Sequence, residues 1–179
     1  INLALQGGGA HGAFTWGVLD RLLEEERLAF DGVTATSAGA MNAAVLAYGL
    51  SAGGRAGAKT ALANFWRRIS HAAAFSPIQA TPWDRLTGNE SLQWSPAFMF
   101  DLVTRLLSPY QFKPLNYNPL RQVLTSVVDF DALRATSCPV KLFLSATNVR
   151  NGKVRIFTND EIGPDHVLAS GCLPLLFQA

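Results

Sequence analysis

Two short segments of the chain carry residue types that suit attack on a carbonyl group. The first is the glycine-rich run at residues 7–12, which follows a strand-like segment and precedes a helical pattern. Glycines let the backbone turn tightly and leave N–H groups uncovered, and a helix N-terminus behind them favours negative charge. This segment therefore predicts a site for an anion at the end of a strand.

The second segment is centred on Ser37, which ends a short strand pattern and opens a helical one. A sharp turn from strand to helix pushes a serine side chain out of a sheet, as in a nucleophile elbow. Small neighbours fit such a crowded turn, and here they are Ala35 before the serine and Ala38 and Gly39 after it. The alternative is an ordinary N-cap, because serine is favoured at the start of a helix.

The two segments are more informative as a pair than separately. Strand, helix, strand and helix follow one another with short links, which predicts a parallel sheet whose consecutive strands end at the same edge. The uncovered amides and the Ser37 hydroxyl are then expected to face one crevice. A nucleophile beside fixed N–H donors is the arrangement that acyl transfer requires.

Hydrophobic periodicity and turn residues predict a single α/β domain over residues 1–179, with three layers and a mainly parallel central sheet. Strands are predicted at 1–6, 33–36 and 140–146, with a hairpin turn at Asn151-Gly152. Helices are predicted at 13–28, 37–50, 60–69, 119–128 and 164–170. Residues 71–118 are rich in proline and aromatic side chains, and we expect an irregular cap there with one helix near 96–107.

Composition excludes several classes of function. The chain has 179 residues, 49% of them hydrophobic and 16% charged, and a net charge of +2, which does not suggest a nucleic-acid partner. Cys138 and Cys172 fit neither a disulfide framework nor a zinc site, so we expect buried thiols in a reducing compartment. No apolar run approaches the ~18 residues of a membrane span. We expect a cytoplasmic protein, with peripheral membrane contact as an open alternative, and no metal or cofactor.

The paired loops resemble those of the patatin-like phospholipase family, as does the closing segment at residues 169–177. The resemblance spans the whole chain, and the pair of loops is its specific part. It implies a serine lipid acyl hydrolase that cleaves carboxylic esters of lipids through a Ser–Asp dyad. Ser37 is then the nucleophile. The implied oxyanion hole is formed by the amides of Gly7, Gly8, Gly9 and Ala10, helped by Ala38, and Gly12, Ala35 and Gly39 shape the two loops.

The chain departs from the family pattern at three points. Ala35 stands where the family usually has glycine, and His11 where it usually has arginine or lysine. The Asp-Gly-Gly or Asp-Gly-Ala motif that holds the family's catalytic aspartate does not occur in the sequence. We therefore expect the dyad aspartate beyond Ala179. The chain begins with Ile1 and ends in an apolar run, which also indicates a piece of a longer protein.

Alternatives from other classes remain. The glycine spacing also fits a dinucleotide-binding fingerprint, with Asp31 roughly 20 residues further on, although that acid precedes the second strand instead of following it. A catalytically inactive lipid-binding domain would carry the same loops. His166 follows Ser37 in the chain order of an α/β-hydrolase triad, but we expect a polar helix residue there. His71 is expected at a helix end.

Overall fold

The computed structural model describes residues 1–74 and 118–172. Four strands form one sheet: β1 (Asn2–Leu5), β2 (Gly32–Thr36), β3 (Lys141–Thr147) and β4 (Val154–Thr158). The helices are α1 (Gly12–Leu22), α2 (Ala38–Ala74), α3 (Pro119–Val127), α4 (Phe130–Arg134) and α5 (Pro164–Ser170), and a single 3-10 turn spans Gly9–His11. The predicted cap, except for its first and last residues, and the helix near 96–107 lie outside the described residues.

The sheet has the strand order β1-β2-β3-β4, with the first three strands parallel and β4 antiparallel to β3. The register aligns Leu5 with Ala35 and Ala35 with Leu144. The carboxyl ends of β1 and β2 therefore meet at one edge, directly before the glycine-rich run and Ser37. This confirms the expected α/β fold with a mainly parallel sheet and the predicted juxtaposition of the two loops.

The core lies between one face of the sheet and the helices. Alternate residues of β2 and β3 point into it, with Val33 and Ala35 buried on one strand and Leu142 and Leu144 on the other. All helices of the described part contribute to this side, because α2 contacts the sheet and each of the other helices. The part of the chain that is described thus shows two of the three expected layers.

α2 approaches the sheet closely because its first half consists largely of small residues. Gly53 and Gly54 have non-helical backbone angles, so two helical halves meet there, as the glycine pair predicts. The halves pack tightly, since a Cβ added at Gly49 would lie 2.4 Å from the Cα of Ala58. This helical hairpin forms the central support of the Ser37 turn.

α1 differs from the sequence-based expectation in length and in its buried face. It ends at Leu22, and Arg55 of α2 donates hydrogen bonds to the carbonyls of Leu23 and Leu28, which hold the following residues in a turn. Leu19, Phe14 and Val18 all recur at helical spacing, and Leu19 is buried, but Phe14 is 78% and Val18 44% exposed. The predicted helix over 13–28 was too long, because the hydrogen bonds from Arg55 turn the chain after Leu22 although the apolar periodicity continues.

The second half of the chain follows its local signals more closely. The predicted helix at 119–128 is present as α3, and the Asn118 side chain caps it by accepting a hydrogen bond from the N–H of Arg121. β3 and β4 form the predicted hairpin, and Gly152 adopts a positive φ of 68° in its turn. The five-residue helix α4, capped by Asp129, was not predicted.

Asn42 is a fully buried polar residue in α2, with a relative exposure of 0%. Its side-chain N–H₂ donates to the carbonyl of Gly12 at 2.9 Å, and its Oδ1 accepts from the indole N–H of Trp66 at 2.9 Å. Asn42 therefore ties the start of α1 to both halves of α2. A buried polar group is tolerated when it is hydrogen-bonded in this way.

We predict opposite effects for two glycine-to-alanine substitutions. A Cβ at Gly39 would lie 2.2 Å from the carbonyl oxygen of Leu5, a backbone atom that cannot move aside, so Gly39→Ala should destabilise by about 3 kcal/mol or more. Gly17, in the exposed interior of α1, has no atom within 4 Å of the same position. Gly17→Ala should therefore stabilise by about 0.5–1 kcal/mol. Urea unfolding measures both, and equal effects would contradict the close approach of α2 to β1.

Asn42→Leu should lower the free energy of unfolding by about 1–3 kcal/mol, because the indole N–H of Trp66 loses its acceptor inside the fold. Asn64 provides the control, since it also pairs with a nearby side chain, Arg67, but at the exposed surface of α2. Asn64→Leu should change stability by no more than about 0.5 kcal/mol. Thermal unfolding of the two variants tests the difference, and similar melting temperatures would argue against the bridging role of Asn42.

Candidate functional site

Ser37 stands between β2 and α2 in a backbone conformation that is unusual for a residue with a side chain. Its φ is 57°, and it is the single non-glycine residue with positive φ in the described ranges. Its carbonyl accepts hydrogen bonds from the N–H groups of Ala40 and Met41, at 2.9 and 3.2 Å, which start the helix. Positive φ in a non-glycine residue is unfavourable and tends to occur at functional sites.

The Ser37 side chain does not act as an N-cap. A capping serine accepts a hydrogen bond from an N–H in the first helical turn. Here the N–H of Ala40 goes to the Ser37 carbonyl, and within residues 1–74 and 118–172 the Ser37 hydroxyl has no hydrogen-bond partner. The residue is only half-buried. The hydrogen bond of the Ala40 N–H to the carbonyl instead of the hydroxyl argues against the N-cap alternative.

The glycine-rich loop lies directly against Ser37. A Cβ added at Gly7 would be 2.8 Å from the Ser37 Cβ and 3.5 Å from its Oγ. Further along the loop, Gly8 accepts a hydrogen bond from the N–H of His11, and Gly9 has a φ of 57° with open space around it. The two segments that the sequence pairs are therefore in contact, and glycine is required at position 7 because any side chain would displace the serine.

Several N–H groups of the glycine-rich loop and of the Ser37 turn have no acceptor within their own helix. Gly9 and Ala10 are the first residues of the 3-10 turn, and Ala38 is the first residue of α2. The first N–H groups of a helix point out of it and carry partial positive charge. Such groups beside a hydroxyl favour an anion or an oxygen that gains negative charge.

The remaining loop residues explain how the segments come so close. A Cβ at Gly12 would lie 2.9 Å from that of Ala38, and Gly39 allows α2 to begin against the carbonyl of Leu5. Ala35 is buried in β2 and, unlike Ser37, does not have a positive φ. Alanine is therefore accommodated where the family usually has glycine.

A set of hydroxyl groups behind Ser37 was not assigned a role from the sequence. The backbone N–H of Ser37 donates to the Oγ of Ser170 at 2.8 Å, and that hydroxyl donates to the carbonyl of Ser145 at 2.6 Å. The hydroxyls of Thr36 and Ser145 are 2.6 Å apart. Ser170 belongs to the closing segment that carries the family resemblance, but nothing in its sequence context indicates a partner so far away in the chain.

The histidines have other contacts. The Nδ1 of His166 accepts the N–H of Gly163 at 3.0 Å and its ring packs on Phe157, with centroids 4.6 Å apart. The Nδ1 of His11 lies 3.1 Å from the carbonyl of Gly8, and His71 is an exposed residue in the last turn of α2. His166 therefore supports the start of α5, as expected for a polar helix residue.

Two further side chains with titratable groups, Cys172 and Asp31, do not compete with Ser37. Burial raises the pKa of the Cys172 thiol, which keeps it protonated and less nucleophilic at neutral pH. Asp31 precedes β2, and its N–H donates to the carbonyl of Ile1, at the edge of the sheet opposite the glycine-rich loop. The acid of the dinucleotide fingerprint is thus far from the site that it would serve.

Neither a cluster of metal ligands nor a bilayer-spanning helix is found in the described part of the chain. Residues 1–74 and 118–172 contain no group of three or more His, Cys, Asp or Glu side chains placed to hold a metal ion. Over the same residues, no helix has both the length and the apolar character that a bilayer span requires.

Comparison with solved structures finds similar chains, among them two bacterial proteins. ExoU, in the heterodimeric ExoU–SpcU complex from the type III secretion system of Pseudomonas aeruginosa, is 21% identical with a TM-score of 0.46, and the match covers 95% of this chain and 35% of that one. VipD from Legionella pneumophila is 17% identical with a TM-score of 0.41, covering 99% and 43%. The chain thus spans less than half the length of either structure. Among curated proteins, none matches significantly.

The comparison with family models gives a direct assignment. The model described as patatin-like phospholipase matches residues 3–179, which include both loops and, apart from Asn2 at the start of β1, every described strand and helix. A match over nearly the whole chain agrees with the resemblance of the paired loops. The chain belongs to the patatin-like phospholipase family.

Proposed function

We propose that this domain hydrolyses carboxylic esters of lipids and so takes part in lipid breakdown, with Ser37 as the nucleophile. The observation that carries the proposal is the strained Ser37 turn, whose hydroxyl lies against the glycine-rich loop. A strand-to-helix turn with a positive φ at the serine is the geometry of a nucleophile elbow. The family assignment supports the class of substrate.

The proposed reaction proceeds in two steps. The Ser37 oxygen attacks the ester carbonyl, its proton passes to a base, and the alcohol part of the lipid leaves as the acyl–serine ester forms. Water then attacks the acyl–serine and releases the fatty acid and the serine. In the dyad that the resemblance implies, the base is an aspartate beyond Ala179.

The negative charge that develops on the carbonyl oxygen is assigned to amides around Ser37. The N–H groups of Gly9, Ala10 and Ala38 are candidates, because each lies in the first turn of its helix. Fixed donors of this kind stabilise the tetrahedral transition state more than the ground state. Because lipid esters reside in membranes, peripheral contact of a cytoplasmic protein with a membrane surface is part of the proposal.

The other functions are less consistent with the site. A dinucleotide-binding module would need Asp31 at the edge of the sheet where the glycines lie, and it lies at the opposite edge. A purely lipid-binding domain would gain nothing from holding a serine at positive φ, since such strain costs stability. Labelling with a fluorophosphonate separates the three functions, because only the hydrolase should react at Ser37.

Ser37→Ala in the full-length protein should lower kcat for short-chain nitrophenyl esters by on the order of 10⁴-fold or more, because it removes the nucleophile. The melting temperature should not fall, since the half-buried hydroxyl has no partner among the described residues. Fluorophosphonate labelling, located by mass spectrometry, should disappear in the variant. Turnover that persists in pure Ser37→Ala protein would end the proposal.

Gly9→Val should reduce kcat by about 10²–10³-fold with little change in KM, because valine cannot keep the φ of 57° and the loop amides lose their direction. Gly152→Val is the matched control. Gly152 also has a positive φ, 68°, with open space around it, but lies in the β3–β4 turn. It should lose stability without losing kcat. Equal kcat values in the two folded variants would contradict a role for the loop in the transition state.

A further inference from the structure

The backbone of Ser37 needs support from outside its own turn. A left-handed conformation is unfavourable for a residue with a side chain, so it persists where neighbouring contacts hold it. The carbonyl of Ser37 is held by the first turn of α2, through Ala40 and Met41. Its N–H is held by a different element, because it donates to the Oγ of Ser170 at 2.8 Å.

Ser170 is well placed to act as a fixed acceptor. Its own hydroxyl proton goes to the carbonyl of Ser145 in β3, at 2.6 Å, so a lone pair is left facing the N–H of Ser37. One side chain thus connects the Ser37 turn to the neighbouring strand. Because the hydroxyl proton of Ser170 is bonded to the Ser145 carbonyl, Ser170 has no proton to donate to a substrate. Its role is therefore structural support of the Ser37 backbone.

The end of α5 that carries Ser170 is itself held in place. Val167, one turn earlier, is fully buried in the core, and the side chains of Arg121 on α3 and Asp165 form an ion pair. The chain then passes over the Ser37 turn, since a Cβ added at Gly171 would lie 3.0 Å from the Cε of Met41 and 3.9 Å from the Cα of Ser37. A displaced Ser170 would therefore require movement of packed structure.

We infer that Ser170 is a positioning residue whose hydroxyl fixes the backbone of Ser37 in its reactive conformation, an inference that rests on the proposed hydrolase function. It follows that the N–H of Ser37 is already engaged and does not contribute to binding the oxyanion. That task falls to the amides of the glycine-rich loop and of Ala38. Without the Ser170 acceptor, the turn relaxes and the hydroxyl loses its alignment with these donors.

The test compares four variants of the full-length protein with the wild type. Ser170→Ala removes the acceptor and leaves the N–H of Ser37 unpaired, so kcat should fall about 10- to 100-fold with KM little changed. The rate of fluorophosphonate labelling at Ser37 should fall by the same factor. Ser170→Thr keeps the hydroxyl and should restore most of both rates. Ser126→Ala removes an exposed hydroxyl bonded at 2.7 Å to Val123 in α3, and should change neither.

The fourth variant, Ser170→Cys, keeps the shape of the side chain and offers only a weak acceptor. It gives the same test if Ser170→Ala does not fold. A wild-type kcat and labelling rate in either folded variant would overturn the inference while leaving the proposed function intact. A wild-type protein that neither hydrolyses esters nor labels at Ser37 would instead refute the proposed function, and the Ser170 inference with it. If Ser170→Thr lost as much kcat and labelling rate as Ser170→Ala, the positioning role would also be overturned.

Discussion

The left-handed turn at Ser37 is the constraint on which the described structure depends. A chain that leaves β2 and enters α2 without a linker must reverse direction within one residue, and this brings α2 against the end of β1. The consequence is crowding, because Gly7 lies against the serine side chain and Gly39 against the carbonyl of Leu5. Small residues are needed on both sides of the contact, and this explains the composition of the two loops.

The same turn fixes the backbone of Ser37 by hydrogen bonds but not its side-chain hydroxyl. Both the N–H and the carbonyl of Ser37 are hydrogen-bonded, while its hydroxyl has no partner among residues 1–74 and 118–172. A group intended for reaction benefits from this division, since its position is fixed without using its reactive lone pairs. Asn42 extends the rigid part, because its buried amide connects Gly12, the last residue of the glycine-rich loop, to α2.

The sequence predicted the parts of the site that depend on neighbouring residues and on the handedness of strand connections. The contact between the glycine-rich run and Ser37 was predictable, because two consecutive parallel strands must end at one edge. The role of Ser170 was not, because a serine at the end of a short helix has many ordinary explanations and its partner is distant. α1 ends early because of its contact with Arg55, and Phe14 is exposed because of the way α1 is rotated against the core. Neither feature can be predicted from the residues of α1 alone. α4 was missed because five residues are too few for a helical periodicity to show.

The hydrogen bond between Ser37 and Ser170 joins residues that are 133 positions apart. Contacts between residues so far apart in the chain form late in folding, because closing the long intervening loop costs entropy before the contact contributes any stability. During synthesis, the glycine-rich loop and the serine emerge early, yet the acceptor that holds the serine backbone emerges only with the end of α5. The order of translation therefore keeps the serine turn incomplete in a nascent chain, and its final geometry coincides with the folding of this domain.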